Sequence, residues 1–328
     1  MKHVVYTRHG NPLEVLEVRE EPVAAPGPGE VRVSRILAPV NPADLNAVEG
    51  NYPTRSEPPA VPGVEGVGVV EAVGRAVSRF KVGERVLFPH GYGTWREGGI
   101  LPAQGLTPVP EGVPWREAAM LKINPATAWR MLHDFVDLPA GSWVAQNAAN
   151  SAVGRHVIAI ARELGLRTVN VVRRAELVAE LEAAGGDWVL TEEEATPERV
   201  REATGKAPVP LAFNAVGGES AERLSALLAS GGTLVTYGAM SRRPVRLPAG
   251  RLIFKDLRFR GFWVSRWYES APADAREAMF ERLFDFARRG IVQTPVERVY
   301  PVADALQAVA RAQEGGRGGK ILLGHDAE

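Results

Sequence analysis

The chain of 328 residues contains no cysteine. This absence excludes disulfide bonds, catalysis by a thiolate and any cysteine-ligated metal site. Histidine is also scarce, and the six histidines are scattered along the sequence without the clustered spacing of metal ligands. We therefore expect no bound metal ion.

Further absences concern large partners and cellular location. The formal net charge is zero and no basic block occurs, which argues against a nucleic-acid partner, since phosphates are bound by clustered lysines and arginines. No apolar run approaches the ~18 residues that span a bilayer, so no membrane partner is expected. The segment Met1–Tyr6 begins directly as a strand, without the pattern of a signal or transit peptide. We expect a cytoplasmic protein.

Hydrophobic residues make up 45% of the chain, and this length suffices for two domains. Up to about residue 120, short strands such as Glu30–Ala38 and Val67–Val73 are separated by Pro/Gly turns. From there strands alternate with helices, which is typical of a parallel sheet with right-handed crossovers; its last strand is predicted over 258–264. The predicted fold class is α/β, with an irregular β domain (1–120 and 291–328) and a doubly wound dinucleotide-binding domain (121–290).

The most informative segment is Asn147–Gly154, which lies between a predicted strand, Ser142–Gln146, and a predicted helix, Val153–Leu164. In a doubly wound sheet this turn holds the pyrophosphate of a dinucleotide, because the free N–H groups and the dipole of the helix N-terminus favour anions. The glycine fingerprint is degraded, and only Gly154 occupies a standard position. The context of strand, turn, helix and strand still predicts a dinucleotide site.

Arg173 and Arg174 follow the next predicted strand, at the position where NAD-binding proteins usually have an acidic residue. Two guanidinium groups suit a 2′-phosphate, because they offer charge-assisted hydrogen bonds. The sequence therefore favours NADPH over NADH. The alternative is that both are solvated surface arginines, since only six of the 39 basic residues are lysines and arginine is common throughout.

The segment Pro62–Gly68 (Pro-Gly-Val-Glu-Gly-Val-Gly) is similar to a signature of the medium-chain dehydrogenase/reductase superfamily. The zinc-dependent alcohol dehydrogenases of that superfamily carry a histidine where Val64 stands, so the resemblance implies a zinc-independent member. It extends over the whole chain and implies a GroES-like β domain joined to a Rossmann domain.

Within this superfamily, five segments resemble the mitochondrial-type trans-2-enoyl thioester reductases. The pair Asn150-Ser151 is specific, because the related quinone reductases usually keep two glycines there. The segments are Val40–Asn46 with Gly50–Tyr52, Ile123–Ala128, Asn147–Gly154, Val235–Met240, and Leu252–Asp256 running into Arg260–Trp263.

This resemblance implies NADPH-dependent reduction of the carbon–carbon double bond of an enoyl thioester, carried by coenzyme A or by an acyl-carrier protein. In the family a tyrosine donates a proton to the α-carbon while hydride reaches the β-carbon, and Tyr52 matches that tyrosine. A phenol with an ordinary pKa of about 10 keeps its proton at neutral pH and can give it to a developing enolate. The alternative is a loop tyrosine that packs its ring at a domain edge.

The resemblance also implies a set of cofactor contacts. Asn124 equally suits an N-cap of the following helix, and Lys320 could be a surface lysine. Ala175 stands where the family often has a third polar or basic residue, so we expect NADH as a weaker second cofactor. The implied contacts are Asn124, Asn150, Ser151, Ala152, Val153, Arg173, Arg174, Ala175, Tyr237, Gly238, Ala239, Met240, Phe262, Trp263, Val264 and Lys320.

Two other functions stay open from the sequence. One is a quinone or general enone reductase on the same scaffold, and the other is a catalytically idle binding protein, which enhancement of NADPH fluorescence would help to exclude. The family is usually dimeric, so by analogy we expect a homodimer joined through the edge strand near residues 258–264.

Overall fold

The computed structural model describes residues 1–53 and 57–324. Contacts between Cα atoms divide the chain into two compact units, unit 1 (Met1–Ile123 and Phe280–Glu328) and unit 2 (Asn124–Met279). The boundaries predicted from the sequence were residues 120 and 291. The second observed boundary lies inside the helix Ala273–Arg288.

Unit 1 begins with short strands and short helices separated by turns. In chain order they are β1 (Lys2–Tyr6), α1 (Pro12–Val15), β2 (Leu16–Glu20), β3 (Glu30–Pro39), α2 (Pro42–Glu49), β4 (Val67–Val73), β5 (Arg85–Leu87), β6 (Gly98–Pro102), β7 (Thr107–Pro108) and α3 (Trp115–Ala119).

Unit 2 continues the chain with alternating helices and strands. They are α4 (Asn124–His133), β8 (Trp143–Gln146), α5 (Ala152–Glu163), β9 (Arg167–Val172), α6 (Val178–Ala183), β10 (Trp188–Thr191), α7 (Pro197–Ala203), β11 (Leu211–Asn214), α8 (Gly218–Ala226), β12 (Thr233–Thr236), α9 (Ala249–Lys255), β13 (Arg258–Gly261) and α10 (Val264–Ser270).

The chain then returns to unit 1 through its last helices and strands. They are α11 (Ala273–Arg288), β14 (Val296–Tyr300), α12 (Ala305–Gln313) and β15 (Lys320–Gly324). Short 3₁₀ turns cover Ala103–Gly105, Ala175–Leu177 and Val302–Asp304.

The sheet of unit 1 has the order β14-β15-β3-β4-β5-β7, with β6 also paired to β3. Its longest strand, β3, alternates buried and half-buried residues, as a strand with one face on a core should. Trp95 is fully buried in that core, and its indole N–H donates to the carbonyl of Pro39 at 3.2 Å. The partner satisfies the polar atom of a large buried ring.

The sheet of unit 2 is parallel, with the order β10-β9-β8-β11-β12-β13. Its central strands β8, β9 and β11 are buried on both faces, and β9 buries every residue after Arg167, whereas the edge strand β13 is largely exposed. The order reverses between β8 and β11, and in open α/β sheets the crevice at such a reversal holds the ligand. The predicted α/β fold, with a GroES-like β domain and a Rossmann domain, is confirmed.

The prediction of a strand over 258–264 is wrong at its end. The apolar run Phe262-Trp263-Val264 is compatible with a strand, but β13 ends at Gly261 and Val264 begins helix α10. Helix α10 is held against α4, where the Arg130 guanidinium lies 4.7 Å from the ring centre of Trp267. The apolar sequence of this segment suits both a strand and a helix start, and the packing of α10 against α4 favours the helix.

Three further helices, α1, α2 and α9, were not predicted. Asn41 followed by Pro42 is an N-cap with proline at the first helical position, and α2 ends at Gly50, which adopts the left-handed conformation (φ 80°). No helix in the described part of the chain is long and apolar enough to cross a membrane.

Candidate active site

The predicted dinucleotide turn connects β8 to α5 in unit 2. Ser151 is the N-cap of α5, and its hydroxyl accepts a hydrogen bond from the N–H of Gly154 at 3.1 Å. Asn150 precedes it, while Ala152 and Val153 form the first helical turn. The structure thus brings the four predicted turn residues to a helix N-terminus, beside the sheet reversal.

Gly154 is needed for close packing within this turn. A Cβ atom added there would lie 2.5 Å from the carbonyl oxygen of Ala149, which is backbone and has little freedom to move. The positive φ angle of the turn falls on Ala148 (φ 47°), a residue without the freedom of glycine. The turn therefore keeps its shape with one glycine and one strained alanine.

Beneath the turn lies a network of buried amides that the sequence did not reveal. The Asn147 side chain donates to Asn214 Oδ1 (2.8 Å) and to the hydroxyl of Ser220 (3.1 Å), and it accepts from the N–H of Ala215 (2.7 Å). Asn214 in turn donates to the hydroxyl of Thr236 at 3.1 Å. These neutral groups tie together the carboxyl ends of β8, β11 and β12, where a bound dinucleotide would cross the sheet.

A second amide pair supports the other side of the turn. Gln146 is fully buried and donates to the carbonyl of Gly154 (2.9 Å) and to Asn170 Oδ1 (2.8 Å). Asn170 lies on β9, and it donates to the Thr168 hydroxyl at 2.8 Å. The start of helix α5 is therefore held by a hydrogen bond from a buried strand residue as well as by packing.

The predicted residues after β12 lie beside the turn. The hydroxyl of Tyr237 is buried without a hydrogen-bond partner in the described residues; burial raises the pKa of Tyr237, and the nearby Ser151 side chain opposes this rise. Gly238 allows a close approach, because an added Cβ would lie 2.8 Å from the carbonyl oxygen of Ala215. Ala239 and Met240 are exposed, and the Met240 N–H donates to the same carbonyl at 3.0 Å.

The segment directly after β13 lies next to the residues that follow β12. It consists of Phe262, Trp263 and Val264. The N–H of Phe262 donates to the carbonyl of Thr236 at 3.0 Å, and its ring contacts Phe135 edge-on with ring centres 5.9 Å apart. Trp263 is half-buried at the start of α10, and Val264 is buried. This arrangement places apolar surface at the carboxyl end of the sheet.

Arg173 and Arg174 are exposed after β9, as the sequence predicts for residues that face a ligand or solvent. Arg174 pairs with Glu176 at 3.4 Å, whereas Arg173 has no ion-pair or hydrogen-bond partner in the described residues. Ala175 begins the 3₁₀ turn that follows. Arg173 is thus the guanidinium with donors to spare for a phosphate.

Asn124 begins α4 and is buried, and its amide nitrogen has no hydrogen-bond partner in the described residues. A buried donor without a partner costs about 1–3 kcal/mol. A ligand acceptor would relieve that cost, which agrees with the predicted cofactor contact at this position.

In unit 1, Tyr52 is half-buried and follows the C-terminus of α2. The turn before it is closed by a hydrogen bond from the Asn51 N–H to the carbonyl of Asn46 at 2.9 Å. Gly50 packs against the ring of His9, which an added Cβ would approach to 3.0 Å. The backbone that carries Tyr52 is therefore fixed by a helix end and a neighbouring ring.

The other end of α2 holds the predicted cofactor residue Lys320, within a cluster that the sequence did not identify as functional. The Lys320 ammonium donates to Asn41 Oδ1 at 2.5 Å, and Asn41 Nδ2 donates to Glu65 Oε1 at 2.8 Å. Asp44 accepts from the N–H groups of Asn41 (2.8 Å) and Val64 (2.9 Å). Glu65 also accepts from the N–H of Ile123 at 3.0 Å.

Both carboxyl groups of this cluster are buried, and burial raises the pKa of Asp44 and of Glu65 to about 7. Hydrogen bonds to each group and the charge of Lys320 oppose the rise. A sequence signal for them exists in retrospect. Asp44 is the third helical residue after the N-cap Asn41, and Glu65 lies among glycines and valines, where an exposed acid is not expected.

Among residues 1–53 and 57–324, no group of three His, Asp or Glu side chains is arranged to hold a metal ion. The pair Asp44 and Glu65 lacks a third carboxylate or imidazole and is instead satisfied by N–H donors and Lys320.

Two protein-family models match the chain. Residues 27–111 match the alcohol dehydrogenase GroES-like domain, and residues 152–283 match the zinc-binding dehydrogenase domain. These two domains correspond to unit 1 and unit 2 of the structure.

Several similar proteins with assigned functions share one name. The mitochondrial enoyl-[acyl-carrier-protein] reductase of Caenorhabditis elegans is 46% identical over 300 residues, covering 89% of this chain and 86% of the relative. The human protein of the same name is 42% identical over 315 residues, covering 94% and 84%. The expectation of a cytoplasmic protein is contradicted by these relatives, which are mitochondrial.

Solved structures with the same fold include both reductase types considered above. A complex of Etr1p with NADP and crotonyl-CoA has a TM-score of 0.89 at 28% identity, over 99% of both chains. The Etr1p/Etr2p heterodimer from Candida tropicalis has a TM-score of 0.91 at 27% identity, also over 99% of both chains. A putative NADPH:quinone reductase from Bacillus thuringiensis has a TM-score of 0.91 at 29% identity, over 99% of this chain and 98% of the other.

The two family matches and the identity to the curated relatives over most of both chains agree with the resemblance that the motifs predicted. The chain belongs to the medium-chain dehydrogenase/reductase family, and within it to the mitochondrial-type enoyl thioester reductases.

Proposed function

We propose that this protein reduces the carbon–carbon double bond of trans-2-enoyl thioesters with NADPH. The observation that carries the proposal is the likeness, over nearly the full length of both chains, to a structure that holds NADP and crotonyl-CoA. The names of the curated relatives specify the same reaction on acyl-carrier-protein thioesters.

The residues of unit 2 fit a bound NADPH. The capped N-terminus of α5 suits the pyrophosphate, and Arg173 suits the 2′-phosphate. Asn124 and Tyr237 each have a buried polar atom without a partner in the described residues, which a ligand can satisfy. NADPH, when bound, supplies the hydride for the β-carbon of the substrate.

Tyr52 of unit 1 supplies the proton. Its phenol protonates the α-carbon of the substrate, and the helix end at Gly50 fixes the backbone that carries it. No metal ion takes part in this proposal, since the chain has no cysteine and Val64 stands at the position of a zinc-ligating histidine in related enzymes.

The direct test is NADPH consumption with crotonyl-CoA and with the same acyl group on an acyl-carrier protein. Turnover of either thioester supports the proposal, and the ratio of the two kcat/KM values identifies the preferred carrier. If the protein reduces neither thioester, the proposal is contradicted.

The role of Tyr52 is tested by Tyr52→Phe, which keeps the ring and removes the acidic proton. We expect kcat to fall about 100-fold or more, in the range that general acid catalysis contributes, while NADPH still binds. Tyr92→Phe is the matched control, because this half-buried tyrosine of unit 1 donates its hydroxyl to the carbonyl of Ile100. An unchanged kcat in Tyr52→Phe would remove the proposed proton donor.

Cofactor choice is tested by Arg173→Ala. Loss of a charge-assisted hydrogen bond should weaken NADPH binding about 10-fold or more and leave NADH binding unchanged. Arg199→Ala, which removes an exposed arginine paired with Glu194, is the control. Equal losses for both nucleotides would show that Arg173 does not contact the 2′-phosphate.

A quinone reductase is the second candidate, because a putative NADPH:quinone reductase shares the fold at a TM-score of 0.91. The two chemistries differ in their need for a proton donor, since a reduced quinone takes protons from water. Quinone turnover that survives Tyr52→Phe, together with no turnover of crotonyl-CoA, would favour this candidate.

We further propose that the protein is a homodimer. Strand β13 ends the sheet of unit 2 and pairs only with β12 in the described residues. Next to it in the chain, α9 exposes Ile253 (70%) and Phe254 (84%), which is unusual for apolar side chains of a monomer. Pairing of the two β13 edges across a two-fold axis would satisfy the unpaired backbone groups of the edge strand and cover the exposed apolar side chains of α9.

The dimer is tested by measuring the molar mass in solution. Phe254→Asp should shift the protein toward monomer at low micromolar concentration, because the introduced charge would be buried against the second copy. Val82→Asp is the control at an equally apolar and exposed position of unit 1. A wild-type protein that is monomeric at all concentrations would contradict the proposal.

A further inference from the structure

The hydroxyl of Thr236 has an unused hydrogen-bond donor at the carboxyl end of β12. Its oxygen accepts a hydrogen bond from the Asn214 side chain at 3.1 Å. The hydroxyl itself donates to no group among residues 1–53 and 57–324. Thr236 is half-buried, whereas the three strand residues before it are buried. A ligand at this end of the sheet can therefore approach the hydroxyl.

The direction of the hydrogen bond between Asn214 and Thr236 is fixed by the backbone. Asn214 Oδ1 accepts from the N–H groups of Val216 at 3.2 Å and Gly217 at 3.0 Å. A backbone N–H only donates, so the amide atom that faces these two groups must be the oxygen. The amide nitrogen must then face Thr236, whose hydroxyl oxygen is the acceptor. Thr236 cannot direct its own proton toward Asn214.

The surroundings of Asn214 prevent its amide from flipping. Asn214 is fully buried, and Asn147 also donates to its Oδ1, at 2.8 Å. The Asn147 amide is fixed in the same way, because its own Oδ1 accepts from the N–H of Ala215 at 2.7 Å. A flipped Asn214 would leave these buried N–H donors facing another N–H group, without an acceptor. The proton of Thr236 is therefore left for an acceptor outside this network.

The position of Thr236 in the sheet indicates which part of a dinucleotide it would meet. Each half of a doubly wound sheet binds one mononucleotide of the dinucleotide. Strands β8, β9 and β10 form the half that carries Arg173, which suits the 2′-phosphate on the adenosine side. Strands β11, β12 and β13 form the other half, so their carboxyl ends face the nicotinamide side. Asn214 and Thr236 are paired in register at the ends of β11 and β12.

We propose that Thr236 donates a hydrogen bond to an oxygen of the nicotinamide half of NADPH, and that Asn214 positions this donor by occupying the hydroxyl oxygen. The inference rests on the proposed function, because it needs NADPH as a ligand. The oxygens of this half are those of its ribose and that of the ring carboxamide. All are neutral acceptors that a hydroxyl can serve.

The experiment measures Kd values for the full-length wild type, Thr236→Val and Thr236→Ser by calorimetric titration. The ligands are NADPH, 2′-phospho-ADP-ribose, which lacks the nicotinamide ring, and 2′,5′-ADP, which lacks the whole nicotinamide half. Thr236→Val keeps the shape of the side chain without its hydroxyl and should raise the Kd for NADPH about tenfold, the loss expected for one hydrogen bond. Its Kd for 2′,5′-ADP should be unchanged. Thr236→Ser keeps the hydroxyl and should bind NADPH as the wild type does.

The matched control is Thr204→Val, at a buried threonine of unit 2 that donates to the carbonyl of Ala207 at 2.9 Å beyond the end of α7. This variant should bind all three ligands like the wild type. If Thr236→Val does not fold, Thr236→Ala provides the same comparison.

The outcome with 2′-phospho-ADP-ribose identifies the acceptor. A loss as large as that for NADPH assigns the ribose and no loss assigns the carboxamide, and either result supports the proposal. An unchanged Kd for NADPH in Thr236→Val, or an equal rise for 2′,5′-ADP, would overturn the inference and leave the proposed function standing. A wild-type protein that binds no NADPH would overturn both.

The positioning role of Asn214 is tested with Asn214→Asp, which reverses the hydrogen bond to Thr236. A carboxylate only accepts, so its second oxygen would take the Thr236 proton and withdraw this donor from NADPH. Thr236→Val should therefore raise the Kd for NADPH about tenfold in the wild type and leave it unchanged in Asn214→Asp. The added charge is present in both proteins of the second comparison, so it cancels. An equal rise in both backgrounds would show that Asn214 does not act through Thr236. If Asn214→Asp does not fold, the Kd values of Thr236→Val decide the inference.

Discussion

The two units hold their functional residues in place with different chemistry. Under the dinucleotide turn of unit 2, Asn147 and Asn214 join three strand ends through neutral amides and hydroxyls. At the start of α2 in unit 1, the corresponding support is ionisable and consists of Asp44, Glu65 and Lys320, with Asn41 as bridge.

This difference predicts a difference in response to pH. A satisfied amide network has no proton to gain or lose between pH 5 and 9, so its contribution to stability is constant. Buried carboxyls with a raised pKa make the fold less stable as the pH rises from their unfolded value, about 4, toward 7. We therefore expect the amide network of unit 2 to be insensitive to pH in this range and the carboxyl cluster of unit 1 to respond to it.

The largest expected effect comes from breaking the neutral network with Asn147→Leu. The change removes the acceptor of the Ala215 N–H and one donor each from Asn214 and Ser220, which keep their other partners. We expect a loss of about 3 kcal/mol in the free energy of unfolding, from buried groups left unsatisfied, with the same value at pH 6 and pH 8. Urea unfolding at both pH values measures it, and a pH-dependent loss would contradict the comparison.

A somewhat smaller loss is expected for Lys320→Met in the charged cluster. Without the ammonium, two buried carboxylates remain unneutralised at pH 8, at a cost of about 2 kcal/mol or more. At pH 6 protonation of Asp44 and Glu65 reduces this cost, since their pKa values lie at about 7. Equal losses at the two pH values would show that the cluster does not titrate in this range.

Glu65→Gln should change how steeply the stability of the protein depends on pH. In the wild type, the raised pKa of Glu65 makes stability fall as the pH rises from about 4 to 7. The variant should lose that part of the slope, so that its stability relative to wild type improves as the pH increases. Melting temperatures from pH 5 to pH 8 test this, and parallel curves would contradict it.

The smallest expected effect is at Ala148, which holds φ 47° in the dinucleotide turn. Ala148→Gly relieves strain of about 1 kcal/mol but adds flexibility to the unfolded chain, so the net gain should be a few tenths of a kcal/mol. The unfolding free energy measures it. A clear loss of stability would show that the turn tolerates the alanine without strain.

Much of this architecture could be predicted from the sequence. The alternation of apolar strands and amphipathic helices after residue 120 indicated the parallel sheet, and the family resemblance supplied the β domain. The strand over 258–264 was wrong at its end, because Phe262-Trp263-Val264 is equally apolar in a strand and at a helix start, and packing of α10 against α4 decides between them.

The hydrogen bonds of the candidate site could be predicted from the residues only where a motif is local. Ser151 caps α5 through a contact three residues away, and that spacing is visible in the sequence. The partnership of Asn41 with Lys320 joins residues 279 positions apart, so no local pattern contains it. The same holds for Asn147 and Asn214, whose side chains meet only because the sheet places β8 beside β11.

We infer that the protein is an NADPH-dependent enoyl thioester reductase with Tyr52 as proton donor. The most direct test of this inference is the rate of NADPH consumption with crotonyl-CoA for the wild type, Tyr52→Phe and Tyr92→Phe. We expect turnover by the wild type and Tyr92→Phe, and a loss of about 100-fold or more for Tyr52→Phe with NADPH binding retained. Wild-type enzyme that binds NADPH but leaves crotonyl-CoA unreduced, or equal turnover in all three proteins, would contradict the account.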